Sequence, residues 1–323
     1  MSGLQVGAKE EVWHAGERAV QTRFGSRAKM ALIGPKFIRA EMPDQHRQFF
    51  GLLPLVFLGG QDLTGRLWAT ALFGDSGFIS SPAPNELAIA AQFNPLDPLA
   101  NQWVLGQQLG LLGLEPQTRR RNRVNGVLIG DVTDRLTLRV EQSFGNCPKY
   151  IQQRSAVPNP AYGNGCKADF TRFTERHSRW LASSDTCFIA SRFADRDSGG
   201  GLKGANRGVD MSHRGGMPGF VRMLDERTLL IPDYAGNNFF NTLGNLQTDS
   251  SAGLLFPLFE QGHLLHLTGQ AEVIWPTESE PAPMGTGAVI RFVLERGRLV
   301  EQAMPSVWQR QSFSPYNPVL RVE

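Results

Sequence analysis

Two neighbouring segments carry the residues best suited to chemistry. Ser212-His213-Arg214-Gly215-Gly216-Met217-Pro218-Gly219-Phe220 is followed by Ile231-Pro232-Asp233-Tyr234-Ala235-Gly236-Asn237-Asn238, and then by Asn241 and Asn245. These types suit an anion. Arg214 can present a two-pronged fork to a phosphate, with Ser212 as a hydroxyl donor. Gly236-Asn237-Asn238 reads as the opening of a helix from Asn238 to Leu246, where free N–H groups and the positive dipole end would face the same anion. The same glycines and asparagines would equally make a turn and an N-cap with no ligand. His213, beside Arg214, is a candidate proton donor to a substrate.

A second basic segment, Thr118-Arg119-Arg120-Arg121-Asn122-Arg123, packs four arginines into five positions ahead of a strand. Strand alternation would put Arg119, Arg121 and Arg123 on one face and Arg120 on the other. Such a cluster needs water or an anion, and a phosphate clamp in a cleft competes with a plain solvated face. Nucleic acid is the weakest reading, because no array of stacking aromatics accompanies the arginines. In Cys147-Pro148-Lys149-Tyr150, Lys149 could activate the thiol or touch a cofactor. Cys187 sits in an apolar run and reads as core. His263 and His266 flank Leu264-Leu265 on a strand and face opposite sides, so no metal pair is expected. No Gly-x-Gly-x-x-Gly after a strand, Walker loop, His-Glu-x-x-His or Gly-x-Ser-x-Gly motif is present.

The elements that must position these residues recur along the chain. His46 and Phe57 match His177 and Phe188 at an offset of 131. Gly77-Phe78 and Leu87-x-Ile89 match Gly219-Phe220 and Leu229-x-Ile231 at 142. Gly110-Leu111-Leu112 matches Gly253-Leu254-Leu255 at 143. The offset jumps where the second copy carries Ser198-Gly199-Gly200-Gly201-Leu202-Lys203-Gly204, a loop insertion of the kind that costs little. Two copies make a pseudo-dimer rather than a solenoid. The phosphate-type pocket belongs to the second copy alone. The first copy reads Gln92-Phe93-Asn94-Pro95 there, and Pro95 stands in place of Asn237 without a backbone donor.

Short runs punctuated by Gly, Pro, Asp and Asn predict an antiparallel barrel or sandwich. Strands are expected at 55–58, 67–73, 77–80, 86–91, 108–114, 124–129 and 135–142, with a helix over Asp97 to Val104. In the second copy they are expected at 186–191, 209–212, 219–224, 228–231, 253–259 and 264–274, and a last strand over 288–295. The divisions are an N-terminal arm (1–43), a first repeat (44–144), a connector (145–172), a second repeat (173–275), and a C-terminal strand and tail (276–323) that begins in a Pro-rich loop.

Taken as an ensemble, Ser212-x-Arg214-Gly215-Gly216-x-Pro218-Gly219-Phe220-Val221, Thr228-Leu229-x-Ile231-Pro232-Asp233, Gly236-Asn237-Asn238-x-x-Asn241-x-Leu243-x-Asn245 and Gly253-Leu254-Leu255-Phe256 resemble the FMN-binding split β-barrel proteins of the pyridoxamine 5′-phosphate oxidase-like superfamily. The resemblance implies a mainly β fold with short helices: two tandem split β-barrels forming an intrachain pseudo-dimer, with FMN in the cleft between them. It implies that Ser212, Arg214, Pro232, Asp233, Asn237, Asn238, Asn241 and Asn245 lie around the flavin. Beside it, the residues' own reading adds Arg119, Arg121, Arg123 and Lys149 as expected cofactor contacts from the first half of the cleft. One departure bears on activity. The vitamin-making oxidase has an Arg-Lys pair where this chain has Asn237-Asn238, and its substrate-binding residues are not recognisable here. Pyridoxamine phosphate oxidation is therefore not implied. The expectation is an FMN-dependent oxidoreductase acting on a small-molecule substrate or electron donor. A non-catalytic flavin-binding or stress module, a haem-binding relative using His213 and a cofactor-free homodimer are the alternatives.

The composition agrees with a globular protein. The 323 residues are 41% hydrophobic and 20% charged, with a net charge of only +3, too small to argue for nucleic acid. Three scattered cysteines make neither a disulfide framework nor a zinc site, and suggest a reducing compartment. No signal sequence and no membrane span is apparent, so a cytoplasmic location is expected. The arm before residue 44 and the tail after 295 could be exchanged between two chains of a homodimer.

Overall fold

The computed structural model describes residues 12–90, 93–130, 135–193, 207–276 and 286–318. The glycine-rich insertion at 198–204, Gln92 and most of the Pro-rich loop lie outside the described residues. Three helices come first: α1 (Ala15–Arg23), α2 (Arg27–Phe37) and α3 (Asp44–Leu52). The first sheet follows, with β1 (Leu55–Gln61), β2 (Leu67–Phe73), β3 (Ile79–Ser80), β4 (Glu86–Ile89), β5 (Gln108–Glu115), β6 (Arg120–Ile129) and β7 (Leu136–Gly145). Then come β8 (Gln153–Pro158), β9 (Lys167–Phe170) and α4 (Glu175–Ser183). The second sheet contains β10 (Thr186–Phe193), β11 (Gly208–Gly215), β12 (Arg222–Met223), β13 (Thr228–Pro232), β14 (Ser251–Leu258), β15 (His263–Ile274) and β16 (Val289–Val300), with α5 (Asn241–Leu246) between β13 and β14. β17 (Ser306–Ser312) closes the order.

The two sheets have the same strand order. The first runs β2-β1-β5-β6-β7-β4-β3 and the second β11-β10-β14-β15-β16-β13-β12, with every pairing along both paths antiparallel. The chain is thus two tandem split β-barrels in an intrachain pseudo-dimer. β16, which follows the Pro-rich loop, is central to the second sheet, between β15 and β13.

Three cores hold the pair together. One fills the first barrel around Phe50, Leu58, Leu111 and Leu138, and one fills the second around Ile189, Phe220, Leu254 and Phe292. The third lies between them, around Phe57, Leu112, Phe188 and Met211. There the equivalent rings of Phe57 and Phe188 stack on each other, with centroids 3.5 Å apart. A ring pair of this kind contributes about 0.5–1.5 kcal/mol beyond its buried area. The glycines of the repeated Gly-Leu-Leu motif admit the partner barrel. A Cβ at Gly110 would lie 2.5 Å from Val209 O on β11, and one at Gly253 2.7 Å from the Trp68 backbone on β2.

Several expectations need correction. No helix forms over Asp97 to Val104. Asn94 Oδ1 accepts from Leu96 N and Asp97 Oδ1 from Leu99 N, giving consecutive side-chain-closed turns. Asn101, with φ +58°, takes the left-handed conformation and cannot continue a right-handed helix. The strands expected from Gly77 and Gly219 shrink to two residues each, because both glycines have positive φ (92° and 89°). The connector contains β8 and β9, which pair with β17 and β16. Those partners lie more than a hundred residues away, so no local signal marks them.

Candidate functional site

A cleft with about 810 Å³ of empty space, open to solvent, lies where β6 of the first barrel meets β11 of the second. β6 contributes Arg121 and Arg123, and β11 contributes Ser212, His213 and Arg214. Pro232 and Asp233 come from the end of β13, while Asn237, Asn238 and Asn241 come from the loop and start of α5. Lys149 enters on the segment after β7. Two expected residues stand elsewhere. Arg119 has φ +59°, which breaks the alternation, so its guanidinium turns to Ile151 O, Ser312 Oγ and Phe313 O. Asn245 is fully buried behind the cleft, bonded to His14, Ser191 and Asp210.

The helix-terminus reading of Asn237 and Asn238 does not hold. α5 is only six residues long and begins at Asn241, after Phe240 in the left-handed region. Asn238 is also left-handed, and Asn237 Oδ1 accepts from Phe239 N at 3.1 Å. Both asparagines therefore line the cleft from a loop, and side-chain charge rather than a helix dipole dominates its electrostatics.

Four cations line the cleft (Arg121, Arg123, Lys149 and Arg214) against one carboxylate, Asp233. Arg214 pairs with Asp233. Burial raises the Asp233 pKa, and Arg214 opposes that rise. Arg123 is tied into a network behind the wall. Its guanidinium donates to Asp210 at 2.9 Å, to Asn241 at 3.0 Å and to Ser212 Oγ. Arg121 has no carboxylate partner among the described residues. Burial lowers its pKa to about 10, partly offset by Cys147, and Arg123 and Arg214 add repulsion. The Nε atoms of Arg121, Arg123 and Arg214 are buried without a hydrogen-bond partner among the described residues. Unpaired buried donors are costly, and an anion in the cleft would relieve both the donors and the repulsion.

His213 is not placed as a proton donor in its charged form. Its ring stands edge-on to Phe188 and is buried, with neither nitrogen partnered among the described residues. Burial first, and then Arg121, Arg214 and Arg154, hold its pKa well below 6.5. It is a neutral imidazole at pH 7.

Sequence reasoning missed two groups. Tyr150, Tyr234 and Phe240 supply aromatic surface. Tyr150 reaches across from the first half and donates its hydroxyl to Ala235 O at 2.9 Å. Burial, with Tyr150 adding to it, pushes the Tyr234 phenol up to about 12. The other group comes from the N-terminal arm. α1 docks on α5, and Asn241 Nδ2 donates to Glu17 while His14 bonds Asn245 Oδ1 at 2.8 Å. Glu17 and His14 also form a reciprocal cap at the start of α1. His14-x-x-Glu17 was the available signal, though it marks a helix start and not the destination of the helix.

The pseudo-equivalent cleft, between β2 and β15, has about 380 Å³ of empty space. Strand register gives the correspondence. Phe57 faces Ala71 as Phe188 faces His213, and Val56 faces Leu72 as Cys187 faces Arg214. Leu112 faces Arg123 as Leu255 faces His266, and Leu114 faces Arg121 as Pro257 faces Leu264. The second cleft therefore has Ala71, Leu72, Leu264 and His266 where the first has His213, Arg214, Arg121 and Arg123. His266 is fully buried, and its Nδ1 donates to Ala69 O at 3.0 Å.

With this geometry in place, comparisons with solved structures give remote likenesses. A pyridoxamine 5′-phosphate oxidase-like protein from Lactobacillus delbrueckii matches over 41% of this chain and 97% of its own, at 14% identity and a TM-score of 0.29. HupZ of Group A Streptococcus matches over 44% and 98%, at 11% identity and a TM-score of 0.29. The K. pneumonia MrkH–c-di-GMP complex matches over 80% and 87%, at 11% identity and a TM-score of 0.23. Oxidase-like proteins are thus among the structural neighbours. At such low TM-scores these likenesses support nothing further, and the barrels are defined by strand order and register. No family model matches the chain, and no curated protein does. Among the described residues no helix is long and apolar enough to cross a membrane, and no group of three or more His, Cys, Asp or Glu could hold a metal ion.

Proposed function

We propose that the chain binds one FMN in the first cleft and uses it for redox chemistry on a small molecule. The observation that carries this reading is the convergence of Arg121, Arg123, Lys149 and Arg214, with buried unpaired N–H groups, on a cleft walled by aromatic rings. A phosphate monoester would meet that positive charge, and Tyr150, Tyr234 and Phe240 offer surface for a flat ring system. The motif resemblance of the second repeat supports the choice of FMN among anionic ligands.

In this reading Arg214 and Arg121 hold the phosphate, while Arg123, fixed by Asp210 and Asn241, keeps the wall rigid and positive. Asn237 and Asn238 supply polar contacts from the loop. When bound, the flavin would supply one- or two-electron transfer. His213 stays neutral and buried, so it shapes the floor and does not deliver a proton as an imidazolium. We read the shared strand order as an internal duplication, with residues 44–144 as one copy. The second copy runs from 173 and takes in β16.

The test is the absorption spectrum of the purified protein, followed by identification of any chromophore released on denaturation. Free FMN is the expected product. A colourless protein that takes up no added FMN would refute the reading, and a Soret band would replace it with haem binding.

A further inference from the structure

A second basic basin adjoins the flavin cleft, on the far side of Arg121. It has about 760 Å³ of empty space between the start of α3, the turn into β6 and the end of β7. Arg121 and Asn146 belong to both basins. Arg120, which points away from the flavin cleft, belongs to this one.

The basin is mainly basic. Arg119, Arg120 and Arg121 line it, and no carboxylate does. The nearest acids are Asp44, paired with Arg47, and Glu115, which stands opposite Arg120 in the strand register and accepts from the hydroxyl of Thr118 at the basin's edge. Arg120 is exposed, rests over the Phe49 ring at 5.1 Å and has no acidic partner among the described residues. Polar groups converge at Gly145. A Cβ there would lie 3.5 Å from Asn122 Oδ1 and 4.0 Å from His46 Nε2. His46 Nδ1 is held by Ser143 Oγ at 3.0 Å, so Nε2 is the nitrogen left to the basin. Burial, then Arg39 and Arg120, lower the His46 pKa.

We propose that this basin is an oxyanion site, in which Arg120 and His46 Nε2 hold the phosphate or carboxylate of a second substrate beside the flavin cleft, with Arg121 standing between the two. The proposal rests on the flavin reading only in calling the ligand a second substrate; the anion site stands on its own residues. Arg121 shared between the basins would couple their occupancy, because an anion in one changes the charge felt in the other.

The test is calorimetric titration at low ionic strength with inorganic pyrophosphate and, separately, malonate. It is run on FMN-loaded wild type and on R214L, whose flavin site is disabled. Both proteins are expected to bind at least one of these probes, and the tighter one identifies the source of the oxyanion. Arg120→Gln should weaken binding about tenfold in both backgrounds while leaving FMN retention unchanged. The His46 ring, followed by NMR, should titrate at higher pH once the probe is bound. Equal binding by R120Q, an unmoved His46 or no binding by either protein would overturn the proposal. If wild type takes no FMN but R120Q still weakens probe binding, the flavin reading fails and the oxyanion site survives.

Discussion

Two clefts in one molecule share strand order and register, yet one is charged and open while the other is small and largely apolar. The first cleft has Arg121, Arg123, His213 and Arg214; the second has Leu264, His266, Ala71 and Leu72 at the same places. Each cleft draws its strands from both barrels, so the difference cannot be assigned to one barrel alone. The first needs β6 from the first barrel as much as β11 from the second. Fold therefore provides the space twice, and side chains make only one of the spaces suited to an anion.

The largest expected effect comes from one pair of equivalent positions. Arg123→Ala would leave the partly buried Asp210 without its cation, and breaking a buried pair in this way costs about 3–5 kcal/mol. His266→Ala, its counterpart, removes a neutral ring bonded to one carbonyl and should cost only about 1–3 kcal/mol. Urea unfolding of both variants measures the difference; equal losses would mean that the charge network does not distinguish the clefts.

Next in size is exchange of the ligand-facing charge. Arg214→Leu installs the residue already present in the second cleft and should weaken FMN at least about thirtyfold, with the far-UV circular dichroism unchanged. Leu72→Arg in the second cleft should create no second flavin site, because the space there is less than half as large. Unchanged retention in R214L would remove Arg214 from the site.

The smallest effect tests the arm that backs only the first cleft. Burial holds the His14 pKa down to about 4 from 6.5, with Asp210 and Asn245 opposing. The unfolded chain takes up this proton below pH 6.5 while the folded one resists it. The stability contribution is therefore present above 6.5 and is lost as pH falls toward about 4. His14→Gln should flatten the melting-temperature decline in that window, and an unaltered slope would show that the docked arm does not sense pH through His14.

Legibility in the sequence followed how local each signal was. Leu67–Phe73 was readable to the residue, because its burial and its Gly and Phe boundaries are written in the strand itself. Arg121 and Arg123 were readable from the two-residue period. Arg119 was not, since nothing in its neighbours announces a left-handed turn at that position. The same applies to α5, whose start is delayed by Phe240. Pro95, set against Asn237 on the sequence, is not among the residues lining the second cleft. The decisive replacements, Leu264 and His266 for Arg121 and Arg123, lie on β15, and identifying them requires knowing which strand faces which across the pair. Contributions of α1, β8 and β17 were invisible for a related reason: each pairs with a segment far along the chain.

Flavin stoichiometry tests the asymmetry most directly. The protein is saturated with FMN, freed of excess by gel filtration, and assayed for FMN against polypeptide. One FMN per chain, lost in R214L and kept in H266A, is the expected result. Two per chain, or none, would contradict the account.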